Sequence, residues 1–260
     1  YVGKLISSAS NKSCDLDPMP TELVKMGARH IAPIITRLIN LSLSQGTFPT
    51  ELKTAVVRPS LKKPRLDAEE LVNYRPIANL PLISKLIEKT AVAQLNDYLS
   101  ANELLEENQS AYPANHSTET ALLHVYDNII RSIGDKKAVL FVMIDLSAAF
   151  DTIDFEILQG TLQQLGIRDT AAAWFHSYMQ HRMQCVKIEN EKSTPHELTQ
   201  GIPQGSVLGP ILFTLYMTSL GRVLRHHGVR YHCYADDTQL WIPFAPHQLA
   251  DAIQSMEACL

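Results

Sequence analysis

Three aspartates stand where chemistry could be done. Asp145 closes the apolar run Ala138-Val-Leu-Phe-Val-Met-Ile144, and Asp236 and Asp237 are adjacent between two extended segments, residues 229–234 and 238–242. An apolar run rich in β-forming residues predicts a buried central strand, here delivering one carboxylate at its tip. The two flanking segments predict a hairpin with a pair of acids at its turn. If the two strands are neighbours, the acids converge. Clustered carboxylates repel one another unless a divalent cation neutralises them, and hard oxygen donors favour Mg²⁺. Such a cluster suits in-line phosphoryl transfer with two metal ions, one activating an attacking hydroxyl and one steadying the leaving group. Against this stands a simpler account, in which an Asp at a strand end forms a turn and a paired Asp-Asp at a hairpin tip is merely solvated.

The chain that must position these acids has 260 residues, 45% of them apolar, enough to bury a core in one globular unit or two closely packed lobes. Intrinsic disorder is excluded for most of it. Lys plus Arg number 23 against 27 Asp plus Glu, a net charge of −4, so any polyanion must meet a local basic patch and not a global field. Cys14, Cys185, Cys233 and Cys259 show neither a Cys-x-x-Cys spacing nor a His spacing that would close a zinc site, and a reducing compartment is the simple expectation. The longest uncharged stretch, residues 198–221, is interrupted by Gly201, Pro203, Gly205, Gly209 and Pro210. It leaves about 11 apolar-rich residues, too few to span a bilayer and better suited to a buried helix. No signal peptide is visible, and a chain opening on Tyr1 reads as a segment of something longer.

Residues 21–45 carry apolar side chains at helical spacing and predict one helix, kinked at Pro33 and stopped by Gly46. Val56 and Val57 predict a short strand, after which Pro59, Pro64 and Pro76 punctuate a loop-rich stretch bearing Lys53, Arg58, Lys62, Lys63 and Arg65. Helices are expected over residues 82–99, after a Ser117 cap, over 153–165 and 170–181, and over 207–224, with residues 186–188 extended. Helices and strands mix without a regular βαβ alternation, so the fold class is α+β.

Six words in order make a resemblance visible: Asn73-Tyr-Arg-Pro-Ile77, Ser84-Lys-Leu-Ile-Glu88, Ser117-Thr-Glu-Thr-Ala-Leu122, Asp145-Leu-Ser-Ala-Ala-Phe-Asp-Thr152, Gly201-Ile-Pro-Gln-Gly-Ser-Val-Leu-Gly-Pro210 and Tyr234-Ala-Asp-Asp237. Over about four-fifths of its length the chain resembles the reverse transcriptase domain of a non-LTR, LINE-type retrotransposon of the jockey or chicken-repeat group. The resemblance implies a polymerase right hand, with fingers over residues 15–135, a palm over 136–260 and the thumb largely missing. It implies catalytic, metal-holding roles for Asp145, Asp236 and Asp237, with the Leu146 carbonyl completing the shell, and Mg²⁺ as the ion with Mn²⁺ as a substitute.

Further roles follow from the same likeness. Phe150 would exclude a ribose 2′-hydroxyl, against the competing account of a core Phe. Gln204 and Gly205 would lie along the template and the incoming nucleotide, although a tight loop leading into a helix explains that word as well. Lys62, Lys63 and Arg75 would grip the triphosphate; guanidinium geometry favours Arg75, and the two lysines cannot be told apart from sequence. Tyr234 would lie near the primer terminus, unless it is a core tyrosine. Arg222, Arg225 and Arg230, with His226, His227 and His232, could meet a phosphate backbone or simply mark an exposed helix end.

The chain departs from the family pattern at Gln109-Ser-Ala-Tyr-Pro113, where Gly and Arg are usual at the third and fifth places, and at Phe155, where His is usual. The expected activity is RNA-directed DNA polymerisation on an RNA template, with a primer nucleic acid, deoxynucleoside triphosphates and no membrane; oligomeric state stays open. The alternative is a catalytically inactive remnant that binds RNA or a protein partner. An RNA-dependent RNA polymerase fits poorly with the bulky Phe150. The family's way of copying implies a nuclear or cytoplasmic location and no secretion.

Overall fold

The computed structural model describes residues 1–111, 116–146 and 148–260. Its elements run in chain order as α1 (Val2–Ser7), α2 (Thr21–Met26), α3 (Ala28–Gln45), β1 (Thr54–Leu61), β2 (Tyr74–Asn79), α4 (Leu82–Ala101), α5 (Thr118–Gly134), β3 (Ala138–Ile144) and α6 (Phe155–Gln164). They continue as α7 (Asp169–Met179), β4 (Arg182–Ile188), β5 (Glu191–Lys192), β6 (His196–Leu198), α8 (Gly209–His226), β7 (Arg230–Tyr234), β8 (Asp237–Phe244) and α9 (Leu249–Glu257). Two compact units result, neither continuous in sequence: residues 1–103 with 150–209, and residues 104–149 with 210–260. The mixture is α+β, as expected.

In the first unit the sequence reading needs two corrections. The helix expected over 21–45 is two helices, broken at Gly27, which ends α2 and opens α3; Pro33 lies inside α3. The proline-punctuated stretch is also more regular than its composition suggests. β1 runs through Pro59 and β2 through Pro76, and the two prolines face each other in an antiparallel ladder. Neither has an N–H, so theirs must be a pair without mutual hydrogen bonds, the one ladder position where two prolines cost no bond. On its other side β1 pairs in parallel with β4 only over Thr54–Val57, which leaves Pro59 clear of that ladder as well. The sheet order is β2-β1-β4-β5, with β6 on β4. Beside it α3 and α7 pack around Phe48, Trp174 and Tyr178, with the Trp174 indole N–H donating to the Ser42 hydroxyl at 2.9 Å.

The second unit is built on a three-stranded antiparallel sheet in the order β3-β8-β7. Side chains alternate across it. One face sets Leu140, Val142, Leu240, Tyr231 and Cys233 against Leu220 and Leu224 of α8 and Met256 of α9. The opposite face meets α5, where the His124 ring lies 4.9 Å from that of His232. Helix α5 starts at the expected place because Ser117 caps it through a reciprocal pair of bonds with Thr120. The run 138–144 is a strand, but neither central nor fully buried. It pairs with β8 alone, and Phe141 and Met143 on its second face are exposed by 39% and 71%. An unbroken apolar run reports strand propensity, not the number of neighbours the strand acquires.

Candidate active site

Strand pairing settles the condition on which the acids depend. β3 and β8 are neighbours, with Ile144 opposite Thr238. Asp145 follows the end of β3 directly, and Asp237, the first residue of β8, pairs with Tyr234 across the β7–β8 hairpin. Directly opposed residues share a sheet face. Asp237 and Tyr234 thus share a face at one end of the sheet, with Asp145 near enough for its charge to act on Asp237, and Asp236 belongs to the two-residue loop Ala235-Asp236 beside them. Partial desolvation, then repulsion from Asp236 and Asp145, raises the Asp237 pKa from its ordinary value. No Lys, Arg or His among the described residues forms an ion pair with these three acids.

The donor chemistry suits a hard divalent cation: oxygens alone, mutually repelling and, among the described residues, without an ion-paired partner. The side chains as they stand do not converge on one point, because among the described residues no group of three or more Asp, Glu, His or Cys is placed to hold a metal ion. Leu146 follows Asp145 just past the end of β3. Ser147 lies outside the described residues, as does Pro113 of the departing word.

Behind the hairpin, residues 108–110 run beside β7. Cys233 donates its N–H to the Asn108 carbonyl at 2.7 Å, and Ser110 donates to the Cys233 carbonyl at 2.9 Å. The Ser110 hydroxyl bonds His232 Nε2 at 2.9 Å and His116 Nδ1 at 3.0 Å. Burial, then the neighbouring His124 and His116, pushes the His232 pKa down to about 4. The basic surface expected from Arg222 to His232 is therefore not all free for phosphate. His232 is buried, and Arg225 is spoken for by Glu106 at 3.0 Å and by the Tyr231 hydroxyl.

The first unit carries the Gly201–Pro203–Gly205 word. Gln204 donates no side-chain bond to fix it; instead its carbonyl accepts the Ala78 N–H at 2.7 Å, so the loop lies along the outer edge of β2. At φ +112° Gly205 has a conformation open only to glycine, and a Cβ there would sit 2.6 Å from the Ala78 oxygen. The Gln204 side-chain oxygen is buried without a partner, in a cavity of about 360 Å³ shared with Asp151 and Gly201. Phe150 is half-buried, and its carbonyl accepts the Ile202 N–H at 2.8 Å.

Where the loop turns toward α8, buried Glu88 of α4 holds it. One carboxylate oxygen accepts the N–H groups of Val207 and Leu208 at 2.7 and 3.1 Å and the Tyr178 hydroxyl at 3.3 Å; the other accepts the Ser84 hydroxyl at 3.1 Å. Glu88 was legible only as a letter of the Ser84–Glu88 word; an acid four residues from a serine on an apolar helix face was the available signal.

Lys62, Lys63 and Arg75 are all exposed on the β1–β2 ribbon. Ser60 pairs with Arg75, and Lys62 donates its N–H to the Asn73 carbonyl at 2.8 Å, continuing the register. Lys62 and Lys63 follow the end of β1, in a bend beyond the paired residues.

A fold of this class with these words matches a known sequence family. The profile described as reverse transcriptase (RNA-dependent DNA polymerase) covers residues 61–260, and the chain belongs to that family. It is 29% identical to the "Probable RNA-directed DNA polymerase from transposon X-element" of Drosophila melanogaster, across 82% of this chain and 23% of that protein. It is 30% identical to the corresponding protein from transposon BS, across 70% of this chain and 20% of the relative. To the RNA-directed DNA polymerase from mobile element jockey it is 24% identical, across 77% and 22%. The chain thus spans about a fifth of the length of the curated relatives it matches. These are the non-LTR retrotransposon sequences that the six words resemble. No helix among the described residues is long and apolar enough to cross a membrane.

Proposed function

We propose that this chain adds deoxynucleotides to a primer 3′-end on an RNA template, with residues 15–135 acting as fingers and 136–260 as palm, a division of roles that cuts across the two compact units. One observation carries the reading: the β3–β8 pairing, with Asp145 near enough to act on Asp237 and no ion pair to either acid among the described residues. Asp145, the Leu146 carbonyl, Asp236 and Asp237 would hold Mg²⁺ or Mn²⁺, which when bound neutralises the triphosphate and activates the primer hydroxyl. Arg75, with Lys62 or Lys63, takes the triphosphate oxygens. Phe150 closes the sugar site against a 2′-hydroxyl. The Gln204 oxygen, lacking a protein donor, accepts from nucleotide or template, and Gly205 lets the chain pass close by. Tyr234 lies beside Asp237, at the primer end. The place of action is the nucleus or the cytoplasm.

Primer extension on a homopolymer RNA tests this. Asp236→Asn should reduce synthesis by about 10²–10³-fold. Phe150→Ala should raise ribonucleotide incorporation. A second reading, an inactive retrotransposon-derived remnant that binds RNA or a protein partner, is favoured by the ungathered carboxylates. It gains if neither wild type nor Asp236→Asn synthesises DNA while both still bind RNA. Equal use of ribonucleotides by the wild type would point instead to an RNA-dependent RNA polymerase.

A further inference from the structure

The loop that carries Asp236 is gripped by one side chain from outside the hairpin. Ala235 sits at φ +56°, in the left-handed region that a non-glycine residue rarely occupies. A two-residue loop leaves the polar backbone atoms of its first residue outside the ladder, and both of them find the same partner. Ala235 donates its N–H to Gln109 Oε1 at 3.0 Å, and Gln109 Nε2 donates to the Ala235 carbonyl at 3.3 Å. Gln109 is only 3% exposed, and its Oε1 also accepts the Ala111 N–H at 2.9 Å. Its backbone is pinned as well, because the bonds on either side of it, from Cys233 to Asn108 and from Ser110 to Cys233, fasten residues 108–110 along β7. The amide is thereby held level with the loop that follows β7, and it presents an acceptor and a donor side by side, which a carboxylate or a hydroxyl cannot match.

We propose that Gln109 is a positioning residue for nucleotide addition: its side-chain amide holds Ala235 in the left-handed turn, and so fixes Asp236 and Asp237 relative to Asp145. The proposal rests on the polymerase reading above and concerns a residue that touches neither substrate nor metal. Displacing a reacting group by about an ångström costs up to roughly a hundredfold in rate. The loss should therefore appear in the chemical step and not in nucleotide affinity. Gln109→Leu removes both bonds at similar volume, whereas Gln109→Glu keeps the acceptor and loses the donor.

The experiment pairs single-turnover primer extension with amide hydrogen exchange on the whole chain. Gln109→Leu should slow nucleotide addition by about 30-fold with the half-saturating deoxynucleotide concentration changed less than about twofold. Gln109→Glu should fall between it and wild type. Exchange at the Ala235 amide should quicken by about tenfold in Gln109→Leu, while the ladder amides of His232 and Leu240 keep their protection. Unchanged addition rates in a working enzyme, a loss confined to half-saturation, or unchanged Ala235 exchange overturns the proposal. If Gln109→Leu loses protection throughout the hairpin, the same readings on Gln109→Glu decide it. A wild type that makes no DNA defeats the polymerase reading, and the exchange measurement then still tells whether Gln109 holds the turn.

Discussion

In the first unit, the turn into α8 shows Glu88 only donors: two backbone N–H groups and two hydroxyls. In the second, the hairpin loop shows Gln109 one donor and one acceptor from the same residue. Each buried side chain matches what it faces. A carboxylate offers acceptor oxygens alone and suits the first turn; an amide offers both kinds and suits the second. Charge sharpens the contrast. The hairpin loop already lies beside three carboxylates, so a neutral holder avoids adding to the repulsion that raises Asp237. Buried polar residues that hold backbone in place can thus be told apart by the donors and acceptors they meet.

The largest way to break this comparison is to empty the first turn. Glu88→Ala leaves buried donors without an acceptor and should cost about 3–5 kcal/mol in urea unfolding. Glu88→Gln keeps one oxygen for the backbone amides and turns its NH₂ toward Ser84, whose hydroxyl can accept, so about 1–2 kcal/mol is expected. Equal losses from the two variants would mean that charge, not the match of donors to acceptors, explains the choice of Glu.

Next comes the closeness of the same loop to β2. Gly205→Ala forces a Cβ toward the Ala78 oxygen at a φ that alanine does not hold, and should destabilise by about 2–4 kcal/mol. A change below measurement error would show that the loop is not seated there. The smallest effect belongs to the hairpin side. His232 stays neutral in the fold down to about pH 4, while the unfolded chain takes up a proton near pH 6.5. Its contribution is present above pH 6.5 and lost as pH falls toward 4, with a slope of at most about 1.4 kcal/mol per pH unit. His232→Gln should flatten the stability profile between pH 6.5 and 5, above the range in which most carboxylates titrate. An unaltered slope there would remove His232 as its source.

Several parts of this architecture were legible because their causes are local. Ser117 starts α5 with its own side chain, as its place before that apolar pattern indicated. The alternation on either side of Ala235 announced a hairpin, and the order of six short words identified the family. Other parts were misread where a local signal has two outcomes. The break at Gly27 outranked the proline at 33, and Pro59 could stay in a strand because its partner is Pro76. The run 138–144 carried strand propensity, but its single neighbour and half-bare face depend on what lies beside it.

The sequence by itself determined where several helices begin, which acids stand at strand ends, and to which family the chain belongs, since each depends on residues within a few positions of one another. Only the tertiary structure decided that β3 lies against β8, that Pro59 faces Pro76, and that Glu88 and Gln109 hold backbone more than a hundred residues away. Pairing register and the burial of a polar side chain are set by contacts distant in the chain, and no short stretch of residues encodes them.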